Sequence, residues 1–67
     1  MFNNAYTNLW PYRSSWYGFA DAADRASWCM DNISAMDDQW RLGERDKIYQ
    51  FLFARREDFV LFCLTWE

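Results

Sequence analysis

The sequence contains no histidine, and it has only one proline, two glycines and two cysteines among its 67 residues. The absence of histidine removes the commonest general base and metal ligand at neutral pH. A structural zinc site needs four Cys or His ligands, so Cys29 and Cys63 alone argue against one within a single chain. Gly18 and Gly43 are too few for a phosphate-binding glycine loop. The sequence therefore predicts no enzymatic activity, no cofactor and no metal.

Long hydrophobic runs are also missing. The longest apolar segment, FVLFCLTW, is much shorter than the roughly 18 residues that a membrane span requires. The opening residues MFNNAYTNLW are too polar for a secretory signal. We expect a cytoplasmic protein with no membrane contact, in which Cys29 and Cys63 pack as reduced thiols. A disulfide between them is the alternative.

Aromatic residues are abundant, with five Trp, four Tyr and six Phe. So short a chain forms one small domain, for which we predict an irregular N-terminal arm over residues 1–11. Such a domain buries only about 60% of the surface of its unfolded chain. Several rings should remain partly exposed, as on binding surfaces. The alternative is that the rings share one core or a homodimer interface.

The formal charge is −3, and the acidic residues are concentrated in one segment. Residues 21–38 hold five Asp and a single basic residue, Arg25, whereas residues 39–58 are almost neutral. This concentration predicts attraction of a basic partner, although such a cluster is often only a solvated face.

The first half of the chain predicts a strand followed by a helix. The run YRSSWYGF (residues 12–19) favours a strand. Asp21 is a suitable N-cap for a helix that extends to about Ile33. The core stripe of this helix comprises Ala22, Ala26, Cys29, Met30 and Ile33. Trp28 falls on the other side, near Asp24 and Asp31, so it is either an exposed recognition residue or lies across the flank of the helix.

A β-hairpin is predicted from QWRL (39–42) and DKIYQFLFA (46–54), with residues 43–45 as the turn. In its second strand, Tyr49, Phe51 and Phe53 alternate and should share one face. Ile48, Gln50 and Leu52 should share the other face.

The last segment is ambiguous between helix and strand. FADAADRASWCM (19–30) is echoed by FARREDFVLFCL (53–64), which aligns Asp24 with Asp58 and Cys29 with Cys63. The echo predicts a second helix, with a C-terminal β-hairpin as the alternative. The fold class is therefore α+β, a small antiparallel sheet with two helices on one face in the order β-α-β-β-α. FVLFCL is apolar all round, so as a helix it must be buried or dock on another chain.

Two resemblances complete the sequence analysis. FLFARREDFVLFCLTW (51–66) resembles the ending of many short proteins of tailed bacteriophages, which implies an origin in a phage and a host-cell cytoplasm. WYGFADAADRA (16–26) resembles the end of an RNA-recognition strand, but it lacks the basic residue of that motif. Together with the negative net charge, this lack argues against nucleic acid as a partner.

These observations predict a non-enzymatic binding protein, a phage-encoded inhibitor that occupies a basic surface of a bacterial defence or transcription protein. Its predicted partner-binding residues are Asp24, Trp28, Asp31, Asp37 and Asp38. Two alternatives stay open: a structural or assembly subunit such as a homodimer, and an oligomer that binds a nucleotide-like ligand. Ring-stacking or interface residues would then be Trp16, Tyr17 and Trp66.

Overall fold

The computed structural model describes residues 9–67, so the first eight residues of the predicted N-terminal arm lie outside the described part. The described chain forms β1 (Tyr12–Tyr17), α1 (Phe19–Asn32), β2 (Trp40–Arg45), β3 (Ile48–Phe53) and α2 (Arg56–Trp66). The predicted α+β class and β-α-β-β-α order are confirmed. The alternative C-terminal hairpin is wrong, because the last segment is helical. Neither α1 nor α2 is long and apolar enough to cross a membrane.

The sheet has three strands in the order β1-β3-β2, and both outer strands run antiparallel to β3. β1 and β2 therefore run in the same direction with β3 inserted between them, which is a split β-α-β arrangement. Phe53 is paired with Tyr12 on one side and with Trp40 on the other. The register between β1 and β3 is irregular between Arg13 and Trp16.

The predicted hairpin is confirmed, but the predicted position of its turn is wrong. The turn consists of Asp46 and Lys47, whose φ angles are 52° and 66°. Two consecutive residues with positive φ give the tight turn that matches the twist of paired strands. Gly43 instead lies within β2 opposite Gln50. This register pairs Trp40 with Phe53 on the core face, and a slip by one residue would turn these rings to solvent.

Both helices pack on one face of the sheet, which we call the inner face. The predicted alternation in β3 is confirmed, because Phe51 and Phe53 are fully buried and Tyr49 is half-buried beside them. Phe62 of α2 enters the same core, with its ring centroid 5.1 Å from Phe51 and 5.2 Å from Phe53. Trp40 stacks on Phe51 at 5.7 Å. A domain with few residues thus builds its core largely from large rings.

The start of α1 differs from the prediction. Gly18 is the N-cap, and its carbonyl accepts a hydrogen bond from the Ala22 amide at 2.9 Å. Asp21, predicted as the N-cap, lies in the first turn, where its charge complements the helix dipole. The helix begins earlier because β1 already ends at Tyr17 and the chain turns directly into α1 at Phe19.

The core side of α1 is mostly as predicted, since Ala22, Ala26 and Cys29 are buried and Ile33 is half-buried against the core. The prediction for Met30 is wrong, because 51% of this residue is exposed. Alanines on the core side let α1 lie close to the sheet, so the bulky rings of β2 and β3 fill the core without help from Met30.

An ion pair between Arg55 and Asp58 lies at the N-terminal end of α2. The Arg55 Nε donates to the Asp58 carboxylate at 2.9 Å, and Asp58 is buried. Asp24, its counterpart in the sequence echo, is exposed on α1 beyond the first turn. The echo therefore predicted the helix correctly without marking equivalent positions in the two helices.

Candidate functional site

The outer side of α2 carries a row of exposed aliphatic residues. Val60 is 38% exposed, Leu61 44% and Leu64 80%. At 3.6 residues per turn Val60 and Leu64 lie on the side opposite Phe62, the buried residue of the same helix, and Leu61 lies about 100° from Phe62. We call Val60, Leu61 and Leu64 the apolar stripe. Large aliphatic side chains grouped on a solvent-facing helix surface mark interaction sites more often than scattered single residues do.

The apolar stripe refines a prediction made from the sequence. FVLFCL was expected to be buried or to dock on another chain, and the structure buries only part of it. The residues of the stripe were visible in this segment, but an apolar residue at nearly every position gives no periodicity that would show which side faces solvent. Only the packing of Phe62 on Phe51 and Phe53 fixes the rotation of the helix.

α1 presents carboxylates on the same side of the molecule. Asp24 and Asp31 are both exposed and lie seven residues apart, so they are aligned along one face of the helix. We call this pair the acidic stripe. Because α1 and α2 pack on the same face of the sheet, the acidic stripe and the apolar stripe both point away from the sheet into solvent.

Two tryptophans fill the seam between the helices. Trp28 is half-buried, and its ring meets Phe62 edge-to-face at 6.2 Å and Trp66 at 6.4 Å. Arg25 covers this seam from α1, with its guanidinium carbon 4.4 Å from the Trp66 ring centroid and 4.5 Å from that of Tyr17. Trp28 thus lies across the flank of α1, the second of the two placements considered from the sequence. Trp66 is an internal packing residue of this seam.

The other two predicted carboxylates occupy the loop between α1 and β2. Asp37 lies 3.5 Å from the Arg41 Nε, and both residues are partly exposed. The hydrogen bond that Arg55 donates to the Asp58 carboxylate raises the pKa of Arg55, and Asp38 adds a smaller electrostatic effect. Asp37 is therefore already paired with an arginine of its own chain.

The two predicted stacking residues of β1 face opposite sides of the sheet. Trp16 lies on the outer face and is 40% exposed. Tyr17 lies on the inner face and donates a hydrogen bond to the Glu67 carboxylate. Burial, together with Glu67, raises the pKa of Tyr17 to about 12. Adjacent strand residues alternate in direction, so Trp16 and Tyr17 are not brought together to hold one ligand.

The Glu67 carboxylate also connects the end of α2 to the backbone of β1. Glu67 also accepts a hydrogen bond from the Ser15 amide at 3.0 Å. Burial raises the pKa of Glu67, but the hydrogen bonds from Tyr17 and Ser15 outweigh this effect and lower it overall. Glu67 thereby fixes the C-terminal end of α2 against β1.

Thiol chemistry at neutral pH is disfavoured by the surroundings of the two free cysteines. Burial raises the pKa of Cys29 to about 12, and it also raises that of Cys63. The nucleophilic form of a cysteine is the thiolate, which these shifts suppress. Among residues 9–67, no group of three or more potential metal ligands is close enough to hold an ion.

A shallow apolar groove lies beside α1. Its volume is about 100 Å³. The lining residues are Phe19, Ala22, Ala23, Ala26, Leu42 and Tyr49. Pockets for cofactor-sized ligands typically enclose about 300–1,000 Å³, so this groove is too small to hold a nucleotide within one chain.

Comparison with known proteins identifies no relative whose binding surfaces could be compared with these. The chain matches no protein family, no curated protein and no solved structure. The case for a functional site therefore depends on the geometry of the chain itself.

Proposed function

We propose that this chain is a non-enzymatic protein-binding module that acts by occupying a surface of another protein. The observation that carries the proposal is the apolar stripe, in which Val60 and Leu64 face solvent on the side opposite the buried Phe62 and Leu61 is exposed beside them. A helix that presents aliphatic residues one turn apart fits the apolar groove of a partner. The apolar stripe takes the role of the exposed recognition residue for which Trp28 was a candidate from the sequence.

The acidic stripe indicates that the surface of the partner is basic. Asp24 and Asp31 are exposed on the helix beside the apolar stripe. Carboxylates at the rim of an interface accelerate association with a basic surface and disfavour acidic partners. The partner should therefore have an apolar groove bordered by lysine or arginine. The resemblance of residues 51–66 to phage proteins favours a bacterial host protein, whose activity the bound module would inhibit.

Leu64 should contribute most to binding. Fully burying an exposed leucine yields about 1.5–3 kcal/mol, and this residue is still 80% exposed in the free chain. Replacement by aspartate would remove this gain and also place an unpaired charge in the contact. We expect Leu64→Asp to weaken partner binding at least tenfold, since each 1.4 kcal/mol changes the dissociation constant about tenfold.

The test is affinity capture of the tagged protein from bacterial lysate at low and high salt, with mass spectrometry of the retained proteins. Met30→Asp is the matched control for Leu64→Asp, because Met30 is also exposed, apolar and near the C-terminal end of its helix. A host protein retained by the wild type and by Met30→Asp, and lost with Leu64→Asp, would support the proposal. Asp31→Lys should weaken the same capture most strongly at low salt.

Retention of the same host protein by Leu64→Asp would contradict the apolar stripe as the binding surface. A structural or assembly subunit is the competing function, because the apolar stripe can also pair with a second copy of itself. Light scattering separates the two: a mass that rises with protein concentration, and is restored to one chain by Leu64→Asp, would favour assembly.

A further inference from the structure

We propose that the outer face of the sheet, on the side opposite the helices, binds single-stranded nucleic acid by stacking a base on Trp16. This inference is independent of the proposed protein-binding function, because it concerns the other side of the molecule and none of the residues of the apolar or acidic stripe. Its starting point is a difference in charge between the two layers of the fold.

The outward-facing positions of the three strands carry charge of one sign. Arg13 on β1 and Arg41 and Arg45 on β2 face outward, and these strand positions include no carboxylate. At the rim, Asp37 lies 3.5 Å from the Arg41 Nε and offsets part of this charge. Although the chain has a net charge of −3, its sheet face is basic and its helix face is acidic. Phosphate groups would be attracted to the sheet face alone.

Strand pairing arranges these side chains in rows across the sheet. Leu52 lies between Arg13 and Arg41, and Gln50 lies between Trp16 and Gly43. Neighbouring strands are about 4.8 Å apart, so each row is about 10 Å wide, enough for one base. Because Gly43 has no side chain, the row formed by Trp16, Gln50 and Gly43 has a shallow depression at Gly43. Trp16 lies at the β1 end of this row, with its ring partly exposed.

The amide of Gln50, in the centre of this row, is oriented by a hydrogen bond. The Gln50 Nε2 donates to the Ser14 carbonyl at 2.8 Å, which orients the amide and leaves its carbonyl oxygen as an acceptor for a base edge. At the end of the face near Arg41, the buried Trp10 packs with its ring centroid 5.8 Å from the guanidinium carbon. Trp10 closes that end, so the base site is confined to the region of Trp16, Gln50 and Arg45.

This chemistry selects single strands over duplexes. A base stacks on an aromatic ring only when it is free of its own helix, and a flat sheet face does not enter a duplex groove. Stacking on tryptophan is tolerant of sequence, because every base has a π face. DNA and RNA share this chemistry, and the experiment compares both.

The experiment is fluorescence anisotropy with labelled 12-nucleotide oligo-dU and oligo-U, which differ only in the sugar, at 50 and 200 mM salt, on the full chain. Arg41 is engaged by Asp37 and Trp10, so the two exposed arginines, Arg13 and Arg45, imply a salt slope of about −1.4, which corresponds to a loss of about sevenfold between these salt concentrations. Trp16→Ala should weaken binding roughly 5- to 150-fold. Arg45→Gln should weaken it less and reduce the salt slope by roughly 0.7. Leu64→Asp, on the opposite side, is the control and should bind like the wild type.

Binding of either oligonucleotide with these responses would establish the site, and the stronger of the two would identify the sugar it accepts. Three results would overturn it: no binding at 50 mM salt, equal affinity for a 12-base-pair duplex, or Trp16→Ala binding as tightly as the wild type. Circular dichroism of each variant shows whether it is folded. Because Arg45 is an exposed residue at the end of β2, Arg45→Gln keeps the test informative if Trp16→Ala does not fold.

Discussion

The rotation of α2 determines the apolar stripe, and two residues of this helix test it directly. Phe62 is fully buried, with its ring about 5 Å from those of Phe51 and Phe53. Leu64 follows two residues later and is 80% exposed. If the helix has this orientation, shortening Phe62 should cost stability and shortening Leu64 should cost almost none.

The expected magnitudes follow from burial. A chain of 67 residues has a free energy of unfolding of about 3–10 kcal/mol. Phe62→Ala would cost about 3–5 kcal/mol, which is enough to unfold much of the protein. Phe62→Leu is the better probe, with an expected loss of about 1–1.5 kcal/mol. Leu64→Ala should change stability by less than about 0.5 kcal/mol, because the site is exposed and both residues are good helix formers.

The assay is urea unfolding followed by circular dichroism. For so small a domain the dependence of the free energy on urea is about 1 kcal/mol per molar. Phe62→Leu should therefore lower the midpoint by about 1–1.5 M, and Leu64→Ala by less than about 0.5 M. Equal losses for the two variants would refute the orientation of α2 and the apolar stripe with it. The measurement should be repeated at two protein concentrations, because a stripe that is buried in an oligomer would make the Leu64→Ala loss concentration-dependent.

Three further predictions concern other parts of the fold. Lys47→Gly should raise the free energy of unfolding by about 1 kcal/mol in urea titrations, because its φ of 66° is costly for residues other than glycine; a lower midpoint would contradict the turn. Cys29 should react with a thiol reagent only as fast as the chain opens, whereas the half-buried Cys63 reacts sooner; equal rates would contradict this packing. Tyr17 should ionise with a pKa of about 12 in an ultraviolet titration, and Glu67→Gln should lower that pKa. Because the unfolded value is about 10, the stability from Tyr17 is present below pH 10 and is lost as the pH rises towards 12; an unshifted titration would contradict the contact.

The sequence predicted those features that depend on local pattern. Alternation of Tyr49, Phe51 and Phe53 identified the inner face of β3, since a strand turns successive side chains to opposite sides. The spacing of Ala22, Ala26 and Cys29 identified the core side of α1 for the corresponding helical reason. Both patterns are contained within a few residues of one element, so no knowledge of its neighbours was needed.

Features that depend on contacts between elements could not be predicted in the same way. The hairpin turn falls at Asp46 and Lys47 because Trp40 must pair with Phe53, and this pairing is invisible before the strands are aligned. The placement of Trp28 likewise depends on α2, which supplies the Phe62 and Trp66 rings against which it packs. The helical wheel of α1 alone left Trp28 beside two carboxylates and gave no reason for it to turn towards a neighbour.

Charge shows most clearly how the topology changes the interpretation of the sequence. Between residues 39 and 58 basic and acidic residues nearly cancel, and this segment carried no functional prediction. In the folded chain the alternation of β2 sends Arg41 and Arg45 to the outer face and Glu44 to the inner side, while Asp46 is removed into the turn. A neutral segment thus produces a basic face, and the negative net charge that argued against nucleic acid describes mainly the helical layer. The partner of each face is therefore predicted by the charge of that face, and the sum over the chain predicts neither.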